Sequence, residues 1–588
     1  MSISGELREA EGEILARRPE HAIEPTLERM AALVSVLGDP QRSYPVIHVT
    51  GTNGKTSTAR MIEGLLRTRG LRTGLFTSPH LSSIRERIMV DGQPVSAGTF
   101  VTAYDELAPY LALVDGQQAS QLSFFEVLTG MAFAIFADVP VDVAIVEVGL
   151  GGTWDATNIA DGAVAVVTPV SLDHTAYLGG TVEEIAADKA GIIKPGAVAV
   201  LAQQPLAAAE ALLRRVVTVG ASVVREGLEF GVLNRDLAVG GQRLDLRGLR
   251  GDYTDIALPL FGAYQAGNAA VALAAVEAFA GGAPLPGQSL DAQAPDDDGS
   301  PDEAWTGSGD AGASGEAGAS GEAEDDDRPA GHADRGAASM DSVNPSSGAL
   351  GQDLVRAAFA QVTSPGRLEV VRRSPVVILD AAHNPAGMEA SVEAVTEAFT
   401  FAALIGVLAV SADKDVPGIL DQLEPVISEL VVTRNSSDRS MDPDKLAELA
   451  ASVFGPERVH LAWRLDDALE MAVGLADDAS GDEGLTRTGV LVTGSVVTAG
   501  DARVLLVVPD HTDSDQGAAD RREAEYQRAD REEAAREEAD YAETDPEDVD
   551  DGDTARDEAD REDADREEAD REDADYGDAD YGEAAEPE

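Results

Sequence analysis

Apolar positions along the first part of the chain follow two rhythms. Ile14, Leu15, Ile23, Leu27, Met30, Leu33 and Leu37 recur at near-helical spacing and predict helix at the N-terminus. Pro45 to Thr50 is a short β-branched run, followed at once by Gly51-Thr-Asn-Gly-Lys-Thr-Ser57, and Thr58 to Arg69 then predicts an amphipathic helix. Thr73 to Thr77 predicts the next strand. Val141 to Val148 and Ala163 to Thr168 are continuous apolar runs of the kind that lie buried inside a parallel sheet. Asn268 to Phe279 is alanine-rich and helical in pattern.

A second alternating series starts at Leu350. Its strands are expected at Val376 to Asp380, Ala403 to Val410, Glu429 to Thr433 and Val490 to Thr493, with helices between. Strands alternating with helices imply α/β domains. The expected fold is a doubly wound, mostly parallel sheet carrying a P-loop, plus a smaller Rossmann-like C-terminal domain. The boundaries read as 1–368 for the N-terminal domain, 369–508 for the C-terminal domain and 509–588 for a tail.

The pattern stops in two stretches, Pro286 to Gly348 and His511 to Glu588, which are acidic and poor in large apolar residues. They carry about −13 and −26 of the chain's formal charge of −63, which arises from 107 Asp and Glu against 44 Lys and Arg. Neither can bury enough apolar surface to offset chain entropy, so both are expected to be disordered. Roughly 450 residues remain, enough for two ordinary domains.

The charge argues against nucleic acid as a partner, since such a surface must be basic to release counterions. No uninterrupted apolar run is long enough for a spanning helix, and the N-terminus has acids where a signal peptide needs a basic and then an apolar stretch. There is no cysteine, which excludes disulfides, thiolate metal sites and a cysteine nucleophile. A cytoplasmic protein is expected.

The chemistry concentrates in loops that follow the predicted strands. Gly51 to Ser57, between strand and helix, suits phosphate: its backbone N–H groups and the helix N-terminus face an anion, and Lys55 can neutralise the outer phosphates. Val49 stands where the general eight-residue pattern has glycine, so this is a variant loop. Glu147 ends an apolar strand beside it, a usual way to hold magnesium. His174, Lys189 and Lys194 read on their own as ordinary structural or surface residues.

Taken together the motifs are specific. Gly51-Thr-Asn-Gly-Lys55, Thr77-Ser-Pro-His-Leu81, Glu86-Arg-Ile88, Phe124-Phe-Glu-Val127, Glu147-Val-Gly-Leu-Gly-Gly152, Asp155-Ala-Thr-Asn158, Asp173-His-Thr175, Lys189-Ala-Gly-Ile-Ile-Lys194, Pro365-Gly-Arg-Leu-Glu369 and Asp380-Ala-Ala-His-Asn-Pro385 follow in order. This succession resembles the folylpolyglutamate synthase/dihydrofolate synthase family of the Mur ligase superfamily, over roughly residues 20–508.

The resemblance implies an ATP-dependent ligase that adds L-glutamate to dihydropteroate, to folates, or to both. It implies ATP contacts at Thr52, Asn53, Gly54, Lys55, Thr56, Asn268, Arg367 and Asp380. Two magnesium ions would be held by Ser78, Glu147, His174 and Lys189, the last as a carbamate. Glu24, Pro25, Thr26 and Leu27, with Ser123, Phe124, Phe125, Glu126, Trp154, Asp155 and Ala156, match places where pteroate or folate lies. Lys55, Lys189, Arg367 and His383 are the expected catalytic set, and a monomer is the family expectation. Tyr264 before Gln265, Thr56 and Ala381 depart from residues frequent in the family.

A carboxylate cannot lose oxide, so joining it to an amine requires phosphorylation to an acyl phosphate first, with ADP leaving; the glutamate amine then displaces phosphate. A locally basic cleft containing Lys55, Arg85, Arg87, Lys189 and Arg367 is expected to receive these anions despite the acidic chain. Two alternatives stand: a Mur-type ligase acting on a UDP-linked peptidoglycan precursor, and a nucleotide-binding regulator without ligase activity.

Overall fold

The computed structural model describes residues 3–19, 24–281, 350–480 and 487–507. The acidic insert and tail expected to be disordered lie outside the described residues, as do Ile23 and Val508.

The first sheet has eight strands: β1 (Val46–Thr50), β2 (Thr73–Phe76), β3 (Ile88–Val90), β4 (Gln93–Pro94), β5 (Val143–Glu147), β6 (Gly162–Val167), β7 (Val198–Leu201) and β8 (Ser222–Arg225). Their order is β4-β3-β2-β5-β1-β6-β7-β8. All neighbours from β2 to β8 pair in parallel, and β3 and β4 add an antiparallel hairpin at one edge.

Side chains alternate across β1 as a strand requires. Ile47 and Val49 pack with Ile62 and Leu66 of the helix Lys55–Thr68 and with Val271 and Leu273 of the helix Ala263–Ala280. Val46 faces the other way, toward Leu33, Leu107 and Phe133 on three further helices. The loops after β1, β5 and β6 therefore emerge together at the carboxyl edge of a buried sheet.

A three-stranded antiparallel sheet follows, β9 (Gly231–Ala238), β10 (Gly241–Arg247) and β11 (Asp252–Leu258). The apolar pattern did not predict it. The last sheet has six strands, β12 (Glu369–Arg373), β13 (Val376–Leu379), β14 (Ala403–Leu408), β15 (Glu429–Val432), β16 (Val459–Leu461) and β17 (Thr488–Thr493), in the order β12-β13-β17-β14-β15-β16. It is parallel except for β12. Alternate residues feed its two faces: Ile378, Leu404 and Leu408 pack on one side, Val377, Leu379, Ile405 and Val407 on the other.

The strands expected from the apolar runs are present with shifts of one or two residues. The single helical rhythm at the N-terminus resolves into two helices, Ile3–Leu15 and Glu28–Val36. Pro25 lies between them, where its ring and missing N–H oppose a continuous helix. Among the described residues no helix is long and apolar enough to cross a membrane.

Candidate active site

The turn after β1 is shaped by close approach. Gly51 has φ +145°, and a Cβ there would collide with the Thr168 side chain. Gly54 has φ +87°, and a Cβ would come 2.5 Å from Asn268 Oδ1. Gly54 caps the helix Lys55–Thr68 without any side-chain hydrogen bond, so the first-turn N–H groups are left for an anion. Lys55 Nζ donates to the carbonyls of Gly51 (3.2 Å) and Thr52 (3.1 Å), which curls it back over the turn. Burial lowers its pKa, while Glu147 and Asp173 work to raise it. Thr52 is tied to the loop after β6, its hydroxyl donating to Ser171 O at 3.1 Å.

Glu147 ends β5 facing this turn, 1 % exposed. Its carboxylate accepts from Thr56 Oγ1 at 2.8 and 3.1 Å and from Ser78 N at 3.4 Å. Burial raises its pKa, with Lys55 and the Thr56 hydroxyl opposing.

Asp173, after β6, is a meeting point of both large sheets. Lys414 Nζ lies 2.5 Å from its Oδ1, Asn384 Nδ2 donates to its Oδ2 at 3.0 Å, and His383 Nε2 is 3.5 Å from Oδ2. Burial works to raise its pKa, but His383, His174 and Lys414 together hold it well below the carboxylate range. His174 is pushed down to about 3, mainly by burial, and its imidazole is therefore neutral. His383 Nδ1 donates to Ala381 O at 2.9 Å, since a carbonyl only accepts.

Lys189 ends the helix Val182–Lys189 and is 4 % exposed. Among the described residues its amine makes no hydrogen bond or ion pair. Burial brings its pKa down to about 7, and the nearby Lys55 adds to the effect. With Lys55, Asp173, His174, His383 and the Gly149–Gly151 loop it lines a cavity of about 30 Å³.

The remaining nucleotide candidates converge on the same turn. Asn268 abuts Gly54 and donates to Gln265 Oε1 at 3.0 Å, and Gln265 donates to Ser57 Oγ at 3.3 Å. Arg367 is half-buried, and among the described residues its guanidinium has no hydrogen bond or ion pair. Its charge is felt at both Lys55 and Glu147. Asp380 is occupied internally: its carboxylate accepts from Leu368 N (3.1 Å), Ala382 N (3.0 Å) and Ser391 Oγ (2.5 Å), which fixes the turn carrying Arg367.

A cleft of about 1250 Å³ adjoins this cavity and shares Gly149, Leu150, Asp173, His174 and His383 with it. Its far end holds Glu24, Thr26, Ser123, Phe125, Glu126, Trp154, Asp155 and Ala156. Pro25, Leu27 and Phe124 do not line it; Phe124 is buried under the Arg87 guanidinium, 4.9 Å from the ring centroid. Arg29 joins the end residues, with Nε 3.0 Å from Glu126 Oε1 and Nη1 2.9 Å from Glu24 Oε2. Ser120 and Arg18 lower the Glu24 pKa to about 2. The near end is formed by the last sheet, at Ser411 to Asp415, Ser437, Arg439 and Ser495. Arg85 and Arg87, expected in a basic cleft, instead bind Val95 O (2.9 Å) and His80 Nδ1 (2.9 Å).

Lys414, Arg29 and Asn384 were not singled out from sequence. Lys414 had one signal, its place just after an apolar strand, where ligands gather in parallel sheets.

Residues 49–276 match the Mur ligase middle domain family, and residues 366–496 match the Mur ligase glutamate ligase domain family. The phosphate turn, the last sheet and all of the first sheet except the start of β1 fall inside these spans, which makes the chain an ATP-dependent ligase of the Mur type. It is 47 % identical over 507 residues to the dihydrofolate synthase/folylpolyglutamate synthase of Mycobacterium tuberculosis, covering 83 % of this chain and 91 % of the relative. The crystal structure of the M. tuberculosis folylpolyglutamate synthase with ADP and AMPPCP superposes with a TM-score of 0.72 at 46 % identity, over 86 % of this chain and 99 % of that one. A folylpolyglutamate synthase complex with AMPPCP and folate has a TM-score of 0.63 at 27 % identity, over 85 % and 100 %. The chain belongs to the folylpolyglutamate synthase/dihydrofolate synthase family.

Proposed function

We propose that the protein joins L-glutamate to the carboxylate of dihydropteroate and of reduced folates, using ATP and passing through an acyl phosphate. One observation carries this reading: a single cleft runs from the Glu24 and Glu126 end, past the cavity at the phosphate turn, to Lys414 and Arg439 of the last sheet. Acceptor, nucleotide and incoming amine can thus meet in one space. The division at 368/369 into an ATP-binding and a C-terminal ligase lobe is part of the reading, supported by β12 starting at Glu369.

The triphosphate lies on the turn Thr52 to Thr56, where uncapped N–H groups and Lys55 take its charge. Asn268 braces Gly54, and Arg367, a cation with no partner among the described residues, reaches the transferring phosphoryl group. Asp380 acts on the nucleotide through the turn that it holds. The acceptor carboxylate oxygen attacks the γ-phosphorus and ADP leaves. The glutamate amine then adds to the acyl carbon, loses a proton and expels phosphate. His383 and Lys414 stand where the glutamate enters, on the Asp173 side of the cavity.

Magnesium fits the donor set. Among the described residues no three His, Cys, Asp or Glu side chains cluster as a ready metal site. The proposed set needs none, because it combines Glu147, the Ser78 hydroxyl, neutral His174 and a carbamate oxygen on Lys189. A lysine amine with a pKa of about 7 is unprotonated often enough to take up carbon dioxide. Two bound ions would supply charge neutralisation of the phosphates.

The enzyme is read as a cytoplasmic monomer, as the family resemblance implies. The test is ADP release by purified protein with magnesium, ATP and glutamate, comparing dihydropteroate with tetrahydrofolate. Release with both is expected of a bifunctional enzyme. Silence with both, from protein that binds ATP, would overturn the reading in favour of a regulatory or peptidoglycan-type role.

A further inference from the structure

His48 is a titratable side chain in the middle of β1 that the proposed reaction does not use. It is 0 % exposed, between β5 and β6, on a strand whose neighbours Val46, Ile47 and Val49 are apolar. A β-branched residue would fill the position without the cost of desolvating an imidazole. What the imidazole adds is one contact, Nε2 at 2.9 Å from Thr157 Oγ1, while Nδ1 is buried with no hydrogen-bond partner among the described residues.

The direction of that contact follows from counting protons. The Thr157 hydroxyl makes a short hydrogen bond to Asp155 Oδ1, and the Asp155 oxygens also accept from Thr157 N and Leu150 N, each at 2.9 Å. A hydroxyl has a single proton and Thr157 donates it to the carboxylate, so its oxygen accepts from His48. The ring is therefore the neutral Nε2–H tautomer, and the orphan Nδ1 is a bare lone pair. Burial, which drives the His48 pKa down to about 3, keeps it so.

Asp155 in turn grips Leu150. The Gly149–Gly151 loop lines both the cavity at Lys189 and the cleft, and Asp155 itself lines the cleft. We propose that His48 is a positioning residue, which acts through Thr157 to hold Asp155 and the 149–151 loop in the geometry that seats the acceptor. The inference rests on the proposed acceptor site at Asp155. It assigns part of that site's geometry to a side chain that does not line the cleft.

The test uses the full chain and its His48→Leu, His48→Gln, Thr157→Val and Thr157→Ser variants, measuring ADP release against acceptor and against ATP. His48→Leu and Thr157→Val are expected to raise the acceptor KM about tenfold, the effect of losing one hydrogen bond to a polar chain ending in a carboxylate. Their ATP KM stays within about twofold, because neither side chain hydrogen-bonds to the turn Thr52 to Thr56. His48→Gln keeps an N–H donor and Thr157→Ser keeps the hydroxyl, so both recover most of the acceptor KM. An unchanged acceptor KM in an active wild-type background overturns the proposal. So does a loss that strikes ATP and acceptor alike, which marks a plain structural residue. Should His48→Leu not fold, the Thr157 pair decides. A wild-type chain that is silent with every acceptor sinks the functional reading and this inference with it.

Discussion

Asn53 of the phosphate turn and Asn384 of the loop after β13 exchange two amide hydrogen bonds, at 3.3 and 3.2 Å, across 331 residues of sequence. Asn384 also donates to Asp173 at 3.0 Å and caps the helix Pro385–Ala398 by accepting from Gly387 N at 2.8 Å. One side chain therefore links the nucleotide turn, the anionic hub and the start of a helix in the proposed ligase lobe. In the proposed reaction that link sets how closely the two lobes meet over ATP, where closure excludes water from the acyl phosphate.

The cap and the bridge can be separated. Asn384→Ser keeps an N-cap acceptor but is too short to reach Asn53, and it should retain stability while raising the ATP KM and the acceptor-independent release of phosphate. Asn384→Ala should show the same kinetic defect and in addition lose about 1 kcal/mol of stability with the cap. Urea unfolding and paired phosphate and product assays distinguish the two.

Glu147 sits where a metal-bound phosphate would lie against the turn. Glu147→Gln preserves shape and can still accept from Thr56, but it removes the charge. The magnesium concentration for half-maximal rate is expected to rise at least about tenfold, in keeping with loss of a first ligand, and chelation should abolish ADP release in the wild type. A magnesium titration of both proteins checks this.

Lys189 gives a pH dependence with a definite sign. Its pKa falls from 10.5 in the unfolded chain to about 7 in the folded one, so between these values the unfolded chain holds the extra proton. Its cost to stability is full below pH 7 and fades as pH rises from 7 toward 10.5. Lys189→Met should therefore stabilise the protein at neutral pH, by on the order of 3 kcal/mol, while removing activity. The wild-type rate should fall as pH drops through about 7 and respond to added bicarbonate. Thermal melts and rate–pH curves in carbon dioxide-free and bicarbonate buffers test both parts.

The Arg367 guanidinium makes no hydrogen bond or ion pair among the described residues and is assigned, in the proposed reaction, to the transferring phosphoryl group. Arg367→Ala should lower kcat by about a hundredfold to a thousandfold with little change in unfolding free energy, the pattern of a lost transition-state contact. Arg367→Lys should recover only part, since a point charge cannot make the forked contact.

The phosphate turn was legible in sequence because everything that makes it is local: a β-branched run, glycines at the two left-handed positions and a helix directly after. The Glu147 and Asp173 loops were legible for the same reason, as ends of apolar strands. Lys414 was not, because its partner Asp173 lies 241 residues away and only folding joins them. The three-stranded sheet escaped because its strands are short of continuous apolar runs and carry Arg235, Asp236, Arg243, Asp245 and Arg247; the Gly240-Gly241 pair at its hairpin was the available signal. Asp380 shows the converse. Its motif pointed to nucleotide, yet its carboxylate is bonded within the protein, which sequence spacing cannot reveal.

Described residues on either side of the acidic insert are tied to one another through Tyr253. Glu277 accepts from Tyr253 Oη at 2.6 Å, and Leu350 N donates to that same oxygen at 3.1 Å. Deleting 286–348 should leave kcat unchanged and stability equal or higher by about 1–2 kcal/mol, the gain from closing a shorter loop. Loss of activity in a folded deletion would give the insert a role in the reaction.

In the proposed reaction ATP activates the acceptor carboxylate itself. The measurement is oxygen transfer: acceptor labelled with oxygen-18 in its reacting carboxylate, incubated with ATP, magnesium and glutamate, and the released phosphate analysed by mass. One labelled oxygen per phosphate, matching the amide formed, is the expected result. Unlabelled phosphate accompanying the same amount of amide would contradict the acyl phosphate route and the placement of Lys55, Glu147 and Arg367 around it.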